Sequence, residues 1–336
     1  MCRSSTHPMK TIRLVTIALI ASMFMFQAAA GHTPLDAEGE HGSLGMALDI
    51  RDPTKSWTLY QELHEAAEPH YYRVHLEQGE QLVVSLFTPL SEGPGFTPQL
   101  VVMGPDIQIR GSFPAYIEVP KGYTVTAPRS NRTTPEYEPF TPASYHFLAE
   151  LRVESVGGGD YYFAVYEPDG GGRYGLATGY REEFTLEEWV TTPLDLFSIR
   201  LWEGQSPIVV FGPLAVVAAA CVWLLSRRET VIGVHMWLGL AAASAYVASG
   251  ANTAFQMLLA LAASGFSSGS FLTAVFVASQ AGLGVMMLLK TLKERRSRTV
   301  AQRAVMAAYG LIGLVVWAGV IVGPVLALAA AAVSDG

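Results

Sequence analysis

The segment His64-Glu65-Ala66-Ala67-Glu68-Pro69-His70 gathers metal-ligating and proton-transferring residue types within seven positions. Two imidazoles flanking a glutamate are what a zinc hydrolase places on one helix face, in the order H-E-x-x-H. Here Glu68 stands where the second histidine is required, and Pro69 breaks the helix that the motif needs. The spacing argues against a metalloprotease. On a strand, His70 and His75 fall on opposite faces because their separation is odd. A zinc or copper site made of His64, Glu68, His70 and His75 therefore gains nothing from spacing, and the expectation is solvated polar side chains.

A second group is all oxygen. Asp160, Glu167 and Asp169 lie beside glycine-rich turns, and hard cations such as calcium take carboxylate ligands. No D-x-D-x-D-G loop frames them, and ordinary turn chemistry explains Asp169-Gly170 equally well. They are the metal candidates, with calcium the one cofactor class on offer. Asn131-Arg132-Thr133 is a glycosylation sequon. There is no G-x-S-x-G, phosphate-binding P-loop or dinucleotide fingerprint. Between Gly31 and Ser206 there is no cysteine, and Lys55 and Lys121 are the only lysines. An activated thiol or amine nucleophile is thus hard to assemble, and no catalytic residue is named. Two converging carboxylates would still serve a hydrolase.

The elements that must carry these residues alternate with period two. Tyr145, Phe147, Ala149, Leu151 and Val153 interleave with polar residues, as do Tyr72, Val74 and Leu76. Leu82, Val84 and Leu86 follow a Gln78-Gly79 turn, which predicts a hairpin. Tyr161, Phe163 and Val165 run into a glycine-rich turn before Tyr174 and Leu176. Further strands are expected at 56–64, 99–103 and 115–119. Many short strands punctuated by Gly and Pro predict an all-β sandwich of the jelly-roll kind over 31–183. Residues 107–144, with six prolines between Pro114 and Pro142, form a long insertion. It is expected to be the contact surface, and removing 125–142 is expected to leave the fold intact.

The stretch from Tyr72 through Gly79 to Leu86 resembles the opening of bacterial pre-peptidase C-terminal (PPC) domains: an aromatic strand, a Gly turn and an alternating apolar strand. Leu100–Asp106 looks like their central strand and Pro/Gly turn. Gly159–Tyr166 followed by Gly171–Leu176 is similar to their closing hairpin. The resemblance covers about residues 70–178, and the 107–144 insertion departs from it. It implies an accessory or binding module of a secreted or surface protein.

After the strands, Thr185-Leu186-Glu187-Glu188 is a capping box, and Thr192-Pro193 repeats the helix-start signal. Two juxtamembrane helices are expected in 184–206. The second lies either at the membrane interface or against the sheets, since both satisfy its apolar face.

The chain then changes solvent. Residues 31–206 hold 26 acidic and 11 basic side chains, net −15, whereas 207–336 hold 3 acidic and 8 basic. An acidic domain repels phosphate, which excludes nucleic acid as a partner. Lys10 and Arg13 before an apolar run ending Ala28-Ala29-Ala30 read as a signal peptide or an uncleaved anchor over 1–30. Apolar runs at 208–226, 231–250, 271–289 and 304–327 each have about the length a bilayer core needs. Residues 251–264, short and interrupted by Gln256, are read as an interfacial or re-entrant helix. A fifth span there would put the basic stretch 290–298 outside, against the positive-inside rule.

The sequence thus predicts an exported β-sandwich followed by an all-α transmembrane bundle in the cell membrane. Its partners are the bilayer and a protein or surface polymer. The expected function is that of a binding protein: sensor, surface receptor or accessory subunit. A carboxylate-dependent hydrolase and a channel or transporter subunit are the alternatives.

Overall fold

The computed structural model describes residues 32–36, 39–227, 233–293 and 299–333. The leader and most of the basic stretch 290–298 lie outside them. Two compact units result, Gly31–Gln205 with Ala260–Ser267, and Ser206–Leu259 with Ser268–Gly336.

The first unit is β-rich. Its strands are β1 (Thr33–Pro34), β2 (Leu48–Asp49), β3 (Trp57–Leu63), β4 (Pro69–Leu76), β5 (Gln81–Pro89), β6 (Gln99–Gly104), β7 (Thr124–Thr126), β8 (Glu136–Glu138), β9 (Ala143–Glu154), β10 (Gly159–Tyr166) and β11 (Gly172–Thr178). They form a six-stranded sheet, β1-β3-β11-β5-β9-β8, and a five-stranded sheet, β2-β4-β10-β6-β7. Both sheets are mixed, because β1 and β2 pair in parallel and the rest antiparallel. Side chains at alternate positions of both sheets meet in one core, with Leu59, Tyr72, Val74, Leu86, Phe163 and Leu176 each buried.

The topology corrects the expected hairpins. β4 and β5 flank the Gln78-Gly79 turn but belong to different sheets, and so do β10 and β11. Gly79 takes φ +84°, which lets the chain turn tightly there while crossing between sheets. Alternation dictates that one face of each strand is buried; it does not dictate which neighbour completes the ladder.

The proline-rich insertion is also corrected. Residues 115–119 form no strand: Pro114 and Pro120 bracket a turn closed by Ile117 N–H to the Pro114 carbonyl at 3.1 Å. Its edges are built into the sheets instead, β7 on β6 and β8 on β9. Ile117 and Val125 are buried in a second apolar cluster. Deleting 125–142 would strip one edge strand and part of another, so the expectation of an intact fold fails.

Helix α1 (Leu186–Trp202) starts on the capping box read from the sequence, with Thr185 accepting from Glu188 N–H and the Glu188 carboxylate accepting from Thr185 N–H. It does not stop for Pro193, so the two expected juxtamembrane helices are one. The Thr192 hydroxyl donates to the Glu188 carbonyl at 2.6 Å in the turn where the proline interrupts the ladder. Gly204, at φ +86°, closes the helix.

The second unit is helical: α2 (Pro207–Ser226), α3 (Val234–Ser264), α4 (Ser270–Thr291), α5 (Val300–Val315) and α6 (Val322–Ala332). Among the described residues, Pro207–Leu224 and Ser270–Thr291 are long and apolar enough to cross a membrane, with mean hydropathies of 2.3 and 1.9. The segments 231–250 and 251–264, read as separate, join as the 31 residues of α3. Thr253 Oγ1 lies 3.0 Å from the Ser249 carbonyl of its own helix and 3.2 Å from Gln280 Oε1 of α4, so this polar residue is satisfied without ending the helix.

The run 304–327, read as one span, is broken between Val315 and Val322. Pro324 has no N–H and clashes with the carbonyl four residues back, that of Val320. Trp317 and Val320 take φ of 53° and 51°. The break is stitched by Gln280 Nε2 to the Val316 carbonyl at 3.0 Å and by Gly319 N–H to Ser249 Oγ at 2.7 Å.

Candidate functional site

The pleat of β4 puts His70 and Tyr72 on one face, two residues apart. Facing them from the other sheet, on β11, is Tyr174. The Tyr174 hydroxyl lies 2.7 Å from His70 Nδ1, and the Tyr72 hydroxyl 2.5 Å from that of Tyr174. His70 Nε2 approaches Glu68 Oε1 at 3.4 Å. Glu68 is fixed in turn by the backbone N–H groups of His64 (2.7 Å) and Glu65 (3.2 Å). A polar chain of four side chains thus crosses the apolar core between sheets.

His41 completes the group from the other end of the unit's sequence. Its carbonyl accepts from Tyr71 N–H at 2.8 Å, which holds the segment along β4. The ring packs on His70 at 4.3 Å between centroids, tilted by 56°, and on Tyr72 at 5.3 Å. Nδ1 contacts the Gly39 carbonyl at 3.1 Å, while Nε2 is buried without a partner.

His41, Glu68 and His70 line a cleft of about 610 Å³ whose walls include Glu40, Met46, Tyr60, Glu62, His64 and Trp202, with Tyr72 and Tyr174 in the core behind it. Helix α1 supplies one wall. Trp202 Nε1 donates to the Gln61 carbonyl at 3.0 Å, its ring meets Tyr60 edge-on at 4.9 Å, and Arg173 donates to the Trp202 carbonyl at 3.1 Å. That settles the placement of this helix against the first sheet. Farther along α1, Arg200, 5 % exposed, donates to both carboxylate oxygens of Glu203 (3.0 and 2.9 Å) and to the Thr141 carbonyl (2.7 Å). Tyr145 donates to Glu203 at 2.6 Å.

Burial sets the protonation states. It pushes the His70 imidazole down to about 4, with His41 adding to the effect and Glu68 opposing it. The His41 ring is likewise lowered by burial. Burial pushes the Tyr174 and Tyr72 hydroxyls up. At Glu68 burial works upward, but the two backbone N–H groups and His70 hold the carboxyl below its ordinary value. Neutral imidazoles, neutral phenols and an ionised carboxylate give one consistent direction of donation: Tyr72 to Tyr174, Tyr174 to His70, His70 to Glu68. The order carboxylate, imidazole, hydroxyl copies a nucleophile relay. Yet Tyr72 and Tyr174 are each 0 % exposed, so this hydroxyl meets no substrate. What the chain does is lock the cleft floor.

The residues named from sequence separate. His75 faces outward and contacts Asp160 at 2.7 Å, on the face opposite His70, as strand parity requires. Asp160 and Glu167 lie seven residues apart along and just past β10, roughly 23 Å for an extended chain. Glu167 is buried and accepts from Thr97 N–H at 3.0 Å, with Asp169 in the turn beyond. The three calcium candidates do not converge. Among the described residues no group of three or more His, Cys, Asp or Glu is placed to hold a metal ion. Asn131 is exposed, but its N–H is bound to the Leu148 carbonyl and the Thr133 hydroxyl to that of Phe147.

His41, Tyr174 and Trp202 were missed. Tyr174 reads as one more apolar strand residue, and His41 stands in a glycine-rich stretch with no pattern. The usable signal was His70 two places before Tyr72: a histidine on the buried face of a strand needs partners.

No protein-family model matches this chain, and no curated protein matches it. The chain is similar to a solved structure, the pre-peptidase C-terminal domain of a collagenase from Bacillus anthracis, at 15% identity over 42% of this chain and 97% of that one, with a TM-score of 0.23.

Proposed function

We propose that this chain is a membrane-anchored binding protein whose β-rich unit is an exported sandwich that takes its ligand in the cleft between α1, β3 and β4. The observation that carries the reading is the cleft itself. Its floor is held rigid by the Glu68–His70–Tyr174–Tyr72 chain, its wall holds a buried imidazole nitrogen without a partner, and the relay's hydroxyl is sealed from solvent. Rigid, part-polar concavities of this size are where small groups are recognised. The net charge of −15 and the basic, apolar leader support an extracytoplasmic placement.

Photo-cross-linking in native membranes tests it. A photoreactive side chain at Met46, on the cleft rim, is expected to capture a partner or ligand, whereas one at Val156, exposed elsewhere, is expected to capture none. Adducts from Val156 with none from Met46 would remove the cleft as the binding site.

One observation favours a second reading, a channel or transporter subunit: the break at 316–321 inside an apolar helix pair, of the kind that frames midplane sites in transporters. Solute flux through reconstituted vesicles, abolished by Gln280→Leu, would establish it.

A further inference from the structure

We infer that the cleft recognises a primary ammonium or guanidinium group, an assignment that rests on the binding reading above and narrows it. The argument begins at His41, which is 6 % exposed. A carbonyl oxygen only accepts, so the contact of Nδ1 with the Gly39 carbonyl places the ring proton on Nδ1. Nε2 then carries a bare lone pair, and it has no partner. A buried acceptor left unpaired is costly and calls for an N–H or O–H donor.

The wall has few such donors to give. The Trp202 indole N–H is spent on the Gln61 carbonyl, one of the two Gln61 amide N–H groups on the Tyr60 carbonyl, and the His70 Nε2 proton on Glu68. The charges point the same way. Glu40, Glu62 and Glu68 line the cleft, and no lysine or arginine does. An anion meets three carboxylates and is repelled, and His64 is the one lining imidazole left to offer a neutral acceptor a donor. The Tyr60 and Trp202 rings, 4.9 Å apart, add the aromatic surface on which a cationic nitrogen sits favourably. A donor-rich organic cation answers all three features at once. A hydrated metal ion does not, because among the described residues no trio of ligands converges. The same group reaches the cleft either as a free amine or as a basic side chain of a partner protein.

Calorimetry on the full-length protein in lipid nanodiscs tests this with three probes. Argininamide carries the cation as guanidinium and α-ammonium, citrullinamide acetylated on its α-amine (citrullinamide below) is the neutral near-isostere, and doubly capped arginine keeps only the guanidinium, as a residue within a chain does. Argininamide is expected to bind and citrullinamide not. His41→Phe and Glu68→Gln are each expected to weaken binding about tenfold, the worth of one charge-assisted hydrogen bond. His41→Gln, which restores an acceptor, is expected to weaken it less. Thermal unfolding of the same samples shows that each variant is folded. Capped arginine binding as well as argininamide assigns a partner side chain; binding by argininamide alone assigns a free amine. If citrullinamide binds equally and His41→Phe abolishes it, the cation assignment falls while the cleft stands. If argininamide binds every variant alike, both readings fall. If no probe binds, the cation assignment is wrong.

Discussion

The two units solve the same problem, satisfying polar groups away from water, with different materials. The β-rich unit uses ion pairs, among them Arg200–Glu203, Lys55–Glu188 and Arg73–Asp49. Arg200–Glu203 is buried, and Lys55–Glu188 partly so. In the helical unit, hydroxyls and amides turn to backbone carbonyls instead: Ser244 to Leu240, Tyr246 to Tyr309, Gln280 to Val316. A charge tolerates burial only with a partner and with hydrogen bonds to its remaining protons and lone pairs, as Arg200 has in the Thr141 carbonyl. In an apolar surround, the carbonyls of neighbouring turns are the acceptors to hand. The contrast teaches how each half satisfies its polar groups, by pairing charges in one and by turning to its own backbone in the other.

The comparison breaks most visibly at Arg200. Arg200→Met leaves Glu203 buried without its cation and Glu138 without a compensating charge nearby. Removing one partner of a buried pair costs on the order of 3–5 kcal/mol. The β-rich unit is expected to lose most of its thermal stability, read as a large fall in the unfolding temperature of the strand signal. A shift no larger than that of an exposed pair such as Arg152–Glu150 would show that the buried network is not ionic in effect.

Next come pH and His70. The folded pKa of about 4 lies below the ordinary 6.5, so the unfolded chain binds the proton first. Stability from this group is full above pH 6.5 and is lost as pH falls toward 4, by on the order of 3 kcal/mol at about 1.4 kcal/mol per unit. His41, lowered too, adds a shallower slope of the same sign. His70→Gln is expected to flatten the denaturation profile between pH 6.5 and 4, leaving the loss at lower pH caused by lowered carboxyls such as Glu68 and Asp52. An unchanged slope would place the titration elsewhere.

Glycines sharpen the separation of the units. At Gly175 an added Cβ would run into the Phe87 ring, and at Gly284 it would meet the Val247 backbone nitrogen at 2.8 Å. Either overpacking costs typically 1–3 kcal/mol. Gly175→Ala is expected to lower only the β-rich transition, and Gly284→Ala only the helical one, in detergent-solubilised protein followed by both signals. A single merged transition would mean that the units unfold as one.

What sequence reveals here follows the range of the interaction. The strands at β4, β5, β9 and β10 and the Thr185 box are set by residues within one strand or turn of one another, and all were legible. The sheet partners were not: Gln78-Gly79 says where the chain turns, while the choice of sheet is made by strands up to a hundred residues away. The cleft was partly legible, because Glu68 and His70 belong to one stretch, but His41 and Trp202 arrive only through β-pairing and helix docking. The helix break was misread since hydropathy sums over a window, although Gly319, Gly323 and Pro324 spelled it out locally.

The smallest expected effect is the most even-handed test, because the same motif occurs in both units. Thr185–Glu188 caps α1 and Thr299–Gln302 caps α5, each with the reciprocal pair of hydrogen bonds. Threonine-to-alanine at a cap costs about 1 kcal/mol when the orphaned N–H groups find no substitute. At Thr185 the third residue is a carboxylate, which also favours the positive helix N-terminus and grips Lys55 at 2.5 Å. Glu188 therefore stays in place when the hydroxyl is lost, and Thr185→Ala is expected to cost the hydroxyl's bond alone, near 1 kcal/mol. At Thr299 the third residue is a neutral glutamine held only by the box. Losing the hydroxyl frees Gln302 as well, yet water reaches the exposed Val300 turn and replaces both bonds. Thr299→Ala is accordingly expected to cost less, about half as much by the same scale. Paired unfolding measurements on the two variants read the difference directly. A larger loss at Thr299 than at Thr185 would mean that the start of α5 is shielded from water.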